Sequence, residues 1–352
     1  MKHPTGAPEA GLPDAIGSTP APRSSDAIAV TLGDPCGIGP EIVLKACCDQ
    51  RLETELRDRL LVVGDPALLQ REATRLGLPL PPRVAEVALP AGPLPAALQA
   101  GRVDPRAGDA AYRFVVHAAS MAMRGEVAAV VTAPLAKEAM HAAGHVYPGH
   151  TELLAECAGG ADVRMMLAND ELRTVLVSIH VPLIEAISLV RRDHVLATIR
   201  IADTALRHAG IARPRLAVAG LNPHAGESGM FGREEIEQIA PAVAQARAEG
   251  VDASGPYPPD TVFMRARGFG EFDAVIAMYH DQGLIPVKYL GLDEGVNVTI
   301  GLPFVRTSPD HGTAFDIAGQ PGPDGRGLAD PRSLLAAIRQ AAQLIHAARP
   351  AH

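Results

Sequence analysis

The chain has 352 residues, 47% of them hydrophobic and 20% charged, with a net charge of −8; this supports a large buried core and excludes a disordered protein. The acidic balance, with no long run of Lys or Arg, argues against a nucleic-acid partner, which would need clustered positive charge. Cys36, Cys47, Cys48 and Cys157 have no CxxC spacing, and no apolar run reaches the roughly 20 residues that a bilayer demands, so the chain reads as cytoplasmic, with neither a disulfide framework nor a membrane anchor.

Residues 1–26 are rich in Pro, Gly, Ser and Ala and lack an apolar period and a basic n-region; they read as a disordered leader, not a signal peptide. A strand at Ile28–Leu32 then runs through Gly33-Asp34-Pro35-Cys36-Gly37-Ile38-Gly39 into a helix at Pro40–Ala46. Such a glycine-rich turn either aims backbone N–H groups at an anion or is only a tight reversal, and it lacks the GxGxxG dinucleotide spacing. A strand at Leu60–Val63 precedes the Pro-rich tract Leu80–Ala107, expected as a surface excursion. A helix at Gly108–Met123, a strand at Ala128–Thr132 and a helix at Leu135–Ala143 follow. Tyr147-Pro148-Gly149-His150-Thr151-Glu152 could bind a carboxylate or phosphate, or Thr151 could simply cap a helix.

Three strands then end near a histidine. Arg173–Ile179 leads to His180, Arg215–Ala219 to His224, and Asp273–Met278 to His280, with helices at Arg192–His208 and Arg233–Glu249 between them. Ligands gather at the carboxyl ends of strands in parallel α/β sheets, and three neutral imidazoles suit a catalytic metal with open positions. Lys288, Asn297 and Arg306 follow at intervals of nine around a strand at Val296–Ile300, and can offer an anion a point charge, an amide and a bidentate fork. The loop from Asp310 to Gly319, with small side chains, lets backbone approach a flat ligand or is an irregular Ω-loop; a helix at Pro331–Ala348 closes the chain. Alternating strands and helices imply an α/β fold with a largely parallel sheet.

The blocks GDPCGIGPE, VTAPLAKEAM, YPGHTELLAE, RMMLAND, LNPHAGE, AMYHDQG and VNVTIGLPFVRTSPDHGTAFDIAG together resemble the 4-hydroxythreonine-4-phosphate dehydrogenases of pyridoxal phosphate biosynthesis and their paralogues acting on D-threonate or D-erythronate 4-phosphate. The resemblance covers about residues 27–345. HGTAFDIAG with LADP also resembles the adenosine-binding loop of isocitrate and isopropylmalate dehydrogenases. It therefore implies their two-domain fold without a classical Rossmann fingerprint. One α/β domain would comprise residues 27–147 plus 304–352 and carry the cofactor loop. The other, residues 148–303, would carry most metal and substrate ligands and the dimer interface.

The resemblance further implies oxidation of 4-phosphooxy-L-threonine by NAD or NADP, with decarboxylation to 3-amino-2-oxopropyl phosphate. A divalent ion, zinc, cobalt or magnesium, would be held by His180, His224 and His280. Substrate would be bound by His150, Thr151, Lys288, Asn297 and Arg306, and cofactor by His311, Gly312, Thr313, Ala314 and Asp316. Lys288, Asp281 and Asp260 are the candidates for the proton acceptor. The expected partner is a second copy of the chain, with the active site at the interface. Two other classes of function would use the same residues: a metal-dependent phospho-acid binding protein without turnover, and a metallohydrolase.

Overall fold

The structure, a computed structural model, describes residues 26–291, 295–323 and 325–347; the expected leader, apart from Asp26, and the last residue of the expected final helix, Ala348, lie outside them. The described strands are β1 (Ile28–Thr31), β2 (Leu60–Gly64), β3 (Val84–Glu86), β4 (Ala129–Thr132), β5 (Arg164–Ala168), β6 (Arg173–Leu176), β7 (Leu216–Ala219), β8 (Ala253–Tyr257), β9 (Ala274–Ala277), β10 (Val296–Ile300) and β11 (Val305–Pro309). They form one sheet in the order β3-β2-β1-β4-β11-β10-β5-β6-β9-β7-β8. β1, β4, β7 and β9 (IAVT, AVVT, LAVA and AVIA) are buried at every position, as strands covered on both faces by helices must be.

The helices are α1 (Gly39–Cys48), α2 (Thr54–Asp58), α3 (Pro66–Leu76), α4 (Pro105–Met123), α5 (Lys137–Ala142), α6 (His150–Cys157), α7 (Leu183–Leu189), α8 (Arg192–His208), α9 (Ala240–Ala248), α10 (Val262–Ala266), α11 (His280–Leu290) and α12 (Arg332–Ala347). Their ends follow local chemistry. Asp65 caps α3 through the N–H groups of Ala67 and Leu68 at 2.7 and 3.3 Å, Pro66 opens the first turn, and Gly77 closes the helix with φ 62°. α4 repeats the device with Asp104 and Pro105, then buries Ala107, Ala110, Ala111, Phe114, Val115, Ala118 and Ala119 along one stripe. None of the described helices is long and apolar enough to cross a membrane.

The sheet is parallel on its flanks but not in its centre. β10 is antiparallel to both β11 and β5, and β5 to β6, so β6, β9, β7 and β8 run against β1, β4 and β11. Thr299 stands opposite Arg306, and Asn297 opposite Ser308, so these four share one face. Val298 and Thr307 point the other way, where the Thr307 hydroxyl donates to Ala337 O of α12 at 2.8 Å. The tract Leu80–Ala107 is not the plain surface excursion expected. Leu94 is buried with its N–H 2.7 Å from the Asp65 carboxylate, and Gly101 N–H donates to Cys36 O at 2.8 Å, so the tract braces the first glycine-rich turn.

Candidate active site

Arg306, on β11, is 1% exposed. Its two Nη atoms donate to the hydroxyls of Thr299 (2.9 Å) and Thr132 (2.6 Å), while Nε has no partner. Burial without a carboxylate partner lowers this guanidinium to about 9. His150 opens α6, and its Nε2 is likewise sealed and unpartnered; burial first, then the charges of Arg306 and Lys137, hold the ring well on the neutral side. Asn297 Oδ1 and Glu152 Oε2 are buried without partners too. Buried polar groups are rarely left unpaired, so an orphaned guanidinium Nε together with three further orphaned atoms describes the lining of a ligand site. Thr151 is buried inside the first turn of α6, whose N-cap is Gly149, and does not cap the helix. Lys288 lies on α11 and not on a loop; its ammonium meets the Asp310 carboxylate at 2.7 Å.

The run leading to His150 is fastened from outside. The His145 ring stacks on Tyr112 of α4 with centroids 3.7 Å apart, and its Nε2 meets the Asp109 carboxylate at 2.8 Å. His141 Nε2 donates to Tyr147 O at 2.8 Å.

His180, His224 and His280 follow β6, β7 and β9, which lie side by side and parallel in the sheet. His180 and His280 come together, with ring centroids 5.7 Å apart. Asp281 engages His280 Nδ1 at 2.7 Å, the carboxylate support that leaves Nε2 for a metal. Burial, helped by Lys137, lowers the His180 imidazole and keeps it neutral, as a ligand must be. His224 stands apart beside Phe231, and among the described residues no group of three His, Cys, Asp or Glu side chains is close enough to hold a metal ion within one chain.

The backbone at two of these histidines is unusual. His180 has φ 48°, and His224 opens a run, through Ala225, Gly226, Glu227 and Ser228, in which every φ is positive. L-residues pay for this conformation, and it persists where surrounding structure imposes it. Here Glu235, 3% exposed, accepts the N–H groups of Leu221 and Asn222 at 2.8 and 2.7 Å, and Gly226 leaves no room for a Cβ, which would meet Glu235 Oε2 at 2.6 Å.

The expected cofactor loop is open and rich in backbone. A Cβ on Gly312 would meet nothing within 4 Å, and Ala314 has φ 43°. Thr313 O accepts Ile38 N–H at 3.0 Å, and Gly37 packs so closely on Thr313 that a Cβ would sit 2.9 Å from its Cβ. The two glycine-rich segments are therefore one structure. LADP is tied in by Glu41, which takes Ala329 N–H at 2.8 Å while Lys45 donates to Gly327 O and Ala329 O at 3.0 and 2.7 Å. His311 and Asp316 are exposed. Asp260, also exposed, lies in the turn before α10. A cavity of about 790 Å³ lies between α8, α12 and the β10–β11 turn, and its lining includes Val298, Thr299 and Arg306 but none of His311, Asp316 and Asp260.

Two residues received no role of their own in the sequence reading. Lys137 opens α5 inside the block VTAPLAKEAM, and Glu152 sits in the first turn of α6, where an acid reads as a complement to the helix dipole. Only tertiary contact places both beside His180, and Lys137 beside His150.

Residues 56–341 match the family described as pyridoxal phosphate biosynthetic protein PdxA. A protein of Beijerinckia indica named 4-hydroxythreonine-4-phosphate dehydrogenase is 52% identical over 90% of this chain and 94% of its own length. One of Salmonella typhimurium named D-threonate 4-phosphate dehydrogenase is 48% identical over 90% of this chain and 98% of its own. The crystal structure of a 4-hydroxythreonine-4-phosphate dehydrogenase from Klebsiella pneumoniae superposes with a TM-score of 0.80 at 44% identity, covering 92% of this chain and all of that one.

Proposed function

Because the chain belongs to the pyridoxal phosphate biosynthetic protein PdxA family, we propose that it is a dehydrogenase of a phosphorylated hydroxy acid, with 4-phosphooxy-L-threonine as substrate and 3-amino-2-oxopropyl phosphate as product. One observation carries the reading: His150, Asn297 and Arg306, three of the five residues expected to bind substrate, each keep a buried polar atom without a partner. The reaction removes a hydride from the carbinol carbon and a proton from its hydroxyl, leaving a β-keto acid that loses CO2.

Arg306, His150, Asn297 and Thr151 bind the phosphate end and fix where the carbinol lies. His180 and His280 of one chain, with His224 of a second copy, would hold a divalent ion, which supplies Lewis-acid polarisation of the carbinol oxygen. Asp281 holds the His280 ring, which leaves Lys288 and Asp260 as the proton acceptors to be separated by the pH profiles of their variants. The loop from His311 to Asp316, with Gly312, Thr313 and Ala314, fits the adenosine end of NAD or NADP, the hydride acceptor, through backbone and small side chains.

The homodimer belongs to the same proposal. Leu183 and Ile184 after His180, Met230 and Phe231 after His224, Met264 after Asp260, and Ile285 and Tyr289 after His280 are exposed, Ile184 by 82% and Tyr289 by 91%. Apolar patches of this kind mark an interface, here one that carries the site. The division into two α/β units, 27–147 with 304–352 and 148–303, is proposed with it, as is a cytoplasmic location, supported by four free cysteines.

The Salmonella typhimurium relative at 48% identity supports a second reading, D-threonate 4-phosphate as substrate. NADH or NADPH formation is to be measured on both substrates, with and without chelator. Turnover of 4-phosphooxy-L-threonine that chelator abolishes is the expected result. Failure on both substrates sinks the dehydrogenase reading, and cofactor-free release of phosphate would replace it with a hydrolase.

A further inference from the structure

A phosphate monoester carries close to two negative charges at neutral pH, and the residues assigned to it so far do not match that charge. His150 is neutral by burial, and Lys288 is already engaged by Asp310 at 2.7 Å. Arg306 is the one buried cation of the site, and the nearby Glu152 carboxylate works against the net positive charge there. Lys137 is different. It is exposed at the start of α5 and has no ion-pair partner among the described residues. Its side chain lies over Gly149, the residue before His150: a Cβ placed there would be 3.8 Å from Lys137 Nζ and 3.4 Å from Glu152 Oε2.

The segment that carries Lys137 is also anchored. Asp34 N–H donates to Pro134 O at 2.9 Å, three residues before Lys137, and Gly33 packs so closely there that a Cβ would sit 2.3 Å from the same oxygen. The ammonium is thus presented at the phosphate end of the site with its charge unspent.

Resting on the dehydrogenase reading above, we propose that Lys137 is a substrate-binding residue, the second cation that holds the substrate's phosphate together with Arg306. Lys137 supplies a point charge and Arg306 a planar fork, so the two are not redundant.

The experiment is calorimetric titration of inorganic phosphate into the chelator-treated full-length protein, comparing wild type with Lys137→Met and Lys137→Arg. The Met variant should bind phosphate about tenfold more weakly and the Arg variant within about threefold of wild type. All three should share one melting temperature, since Lys137 is exposed. KM for the phosphorylated substrate should rise in parallel in the Met variant, with kcat changed less. Equal phosphate affinity in wild type and the Met variant overturns the proposal, even if KM rises. If wild type binds phosphate and the Met variant does not, while neither oxidises any phosphorylated hydroxy acid, the dehydrogenase reading fails and the role of Lys137 stands.

Discussion

Asp34 shows what a single buried group does in this fold. It is fully buried, its Oδ1 accepts Cys36 N–H at 2.8 Å, its Oδ2 has no partner, and burial raises the carboxyl from 3.8 to about 6. A folded value above the unfolded one means that the group favours folding when protonated. That contribution is complete below about pH 4 and is lost as pH rises through 6. Asp34→Asn keeps the acceptor and removes the charge, so it should stabilise the protein at pH 7 by on the order of 2–3 kcal/mol. Urea unfolding should show this gap at pH 7 and little of it at pH 4; a gap of equal size at both would refute the assignment. At this scale the sequence was informative about residue types and weak on roles. His180, His224, His280 and Arg306 stand out by strand position and chemistry, whereas Lys137, Glu152 and Asp34 look like ordinary helix-start and turn residues until the fold brings them together.

Among elements, the left-handed run from His224 to Ser228 depends on one carboxylate. Glu235→Gln weakens charge-assisted bonds to the Leu221 and Asn222 N–H groups and should cost about 1.5–3 kcal/mol. Because the loop carries His224, metal affinity should fall by more than tenfold, read by competition with a chromophoric chelator. A variant with unchanged affinity would show that the loop holds its shape without Glu235. The strands with strong apolar runs, such as Ile28–Thr31 and Val296–Ile300, were legible within a residue. β5, β8 and β11 were not. RMMLA, ASGPY and VRTSP carry Met, Gly, Pro or polar residues that read as loop or helix, and they become strands because neighbours complete their hydrogen bonds. α6 was anticipated only through Thr151 as a cap, two residues past the actual N-cap Gly149 and with no bounds, because its eight residues follow Pro148 and Gly149, which signal a turn.

For the whole molecule, the question is how three histidines meet. His180 and His280 are together and His224 is not, so a site shared between two copies makes a specific prediction. His180→Ala and His224→Ala should each be inactive alone. Refolded together, about half of the dimers are mixed and each mixed dimer carries one intact site of two, so about a quarter of wild-type activity should return. Mixed dimers that form without recovering activity would exclude a shared site.

By itself, the sequence determined the α/β class, the strands with continuous apolar runs, and the residue types able to bind a metal and an anion, because periodicity and chemistry are local properties. Only the tertiary structure decided the antiparallel centre of the sheet, which sets Thr299 opposite Arg306. It alone decided which buried polar atoms go unpaired and which lysine keeps its charge free, because pairing is settled between residues far apart in the chain.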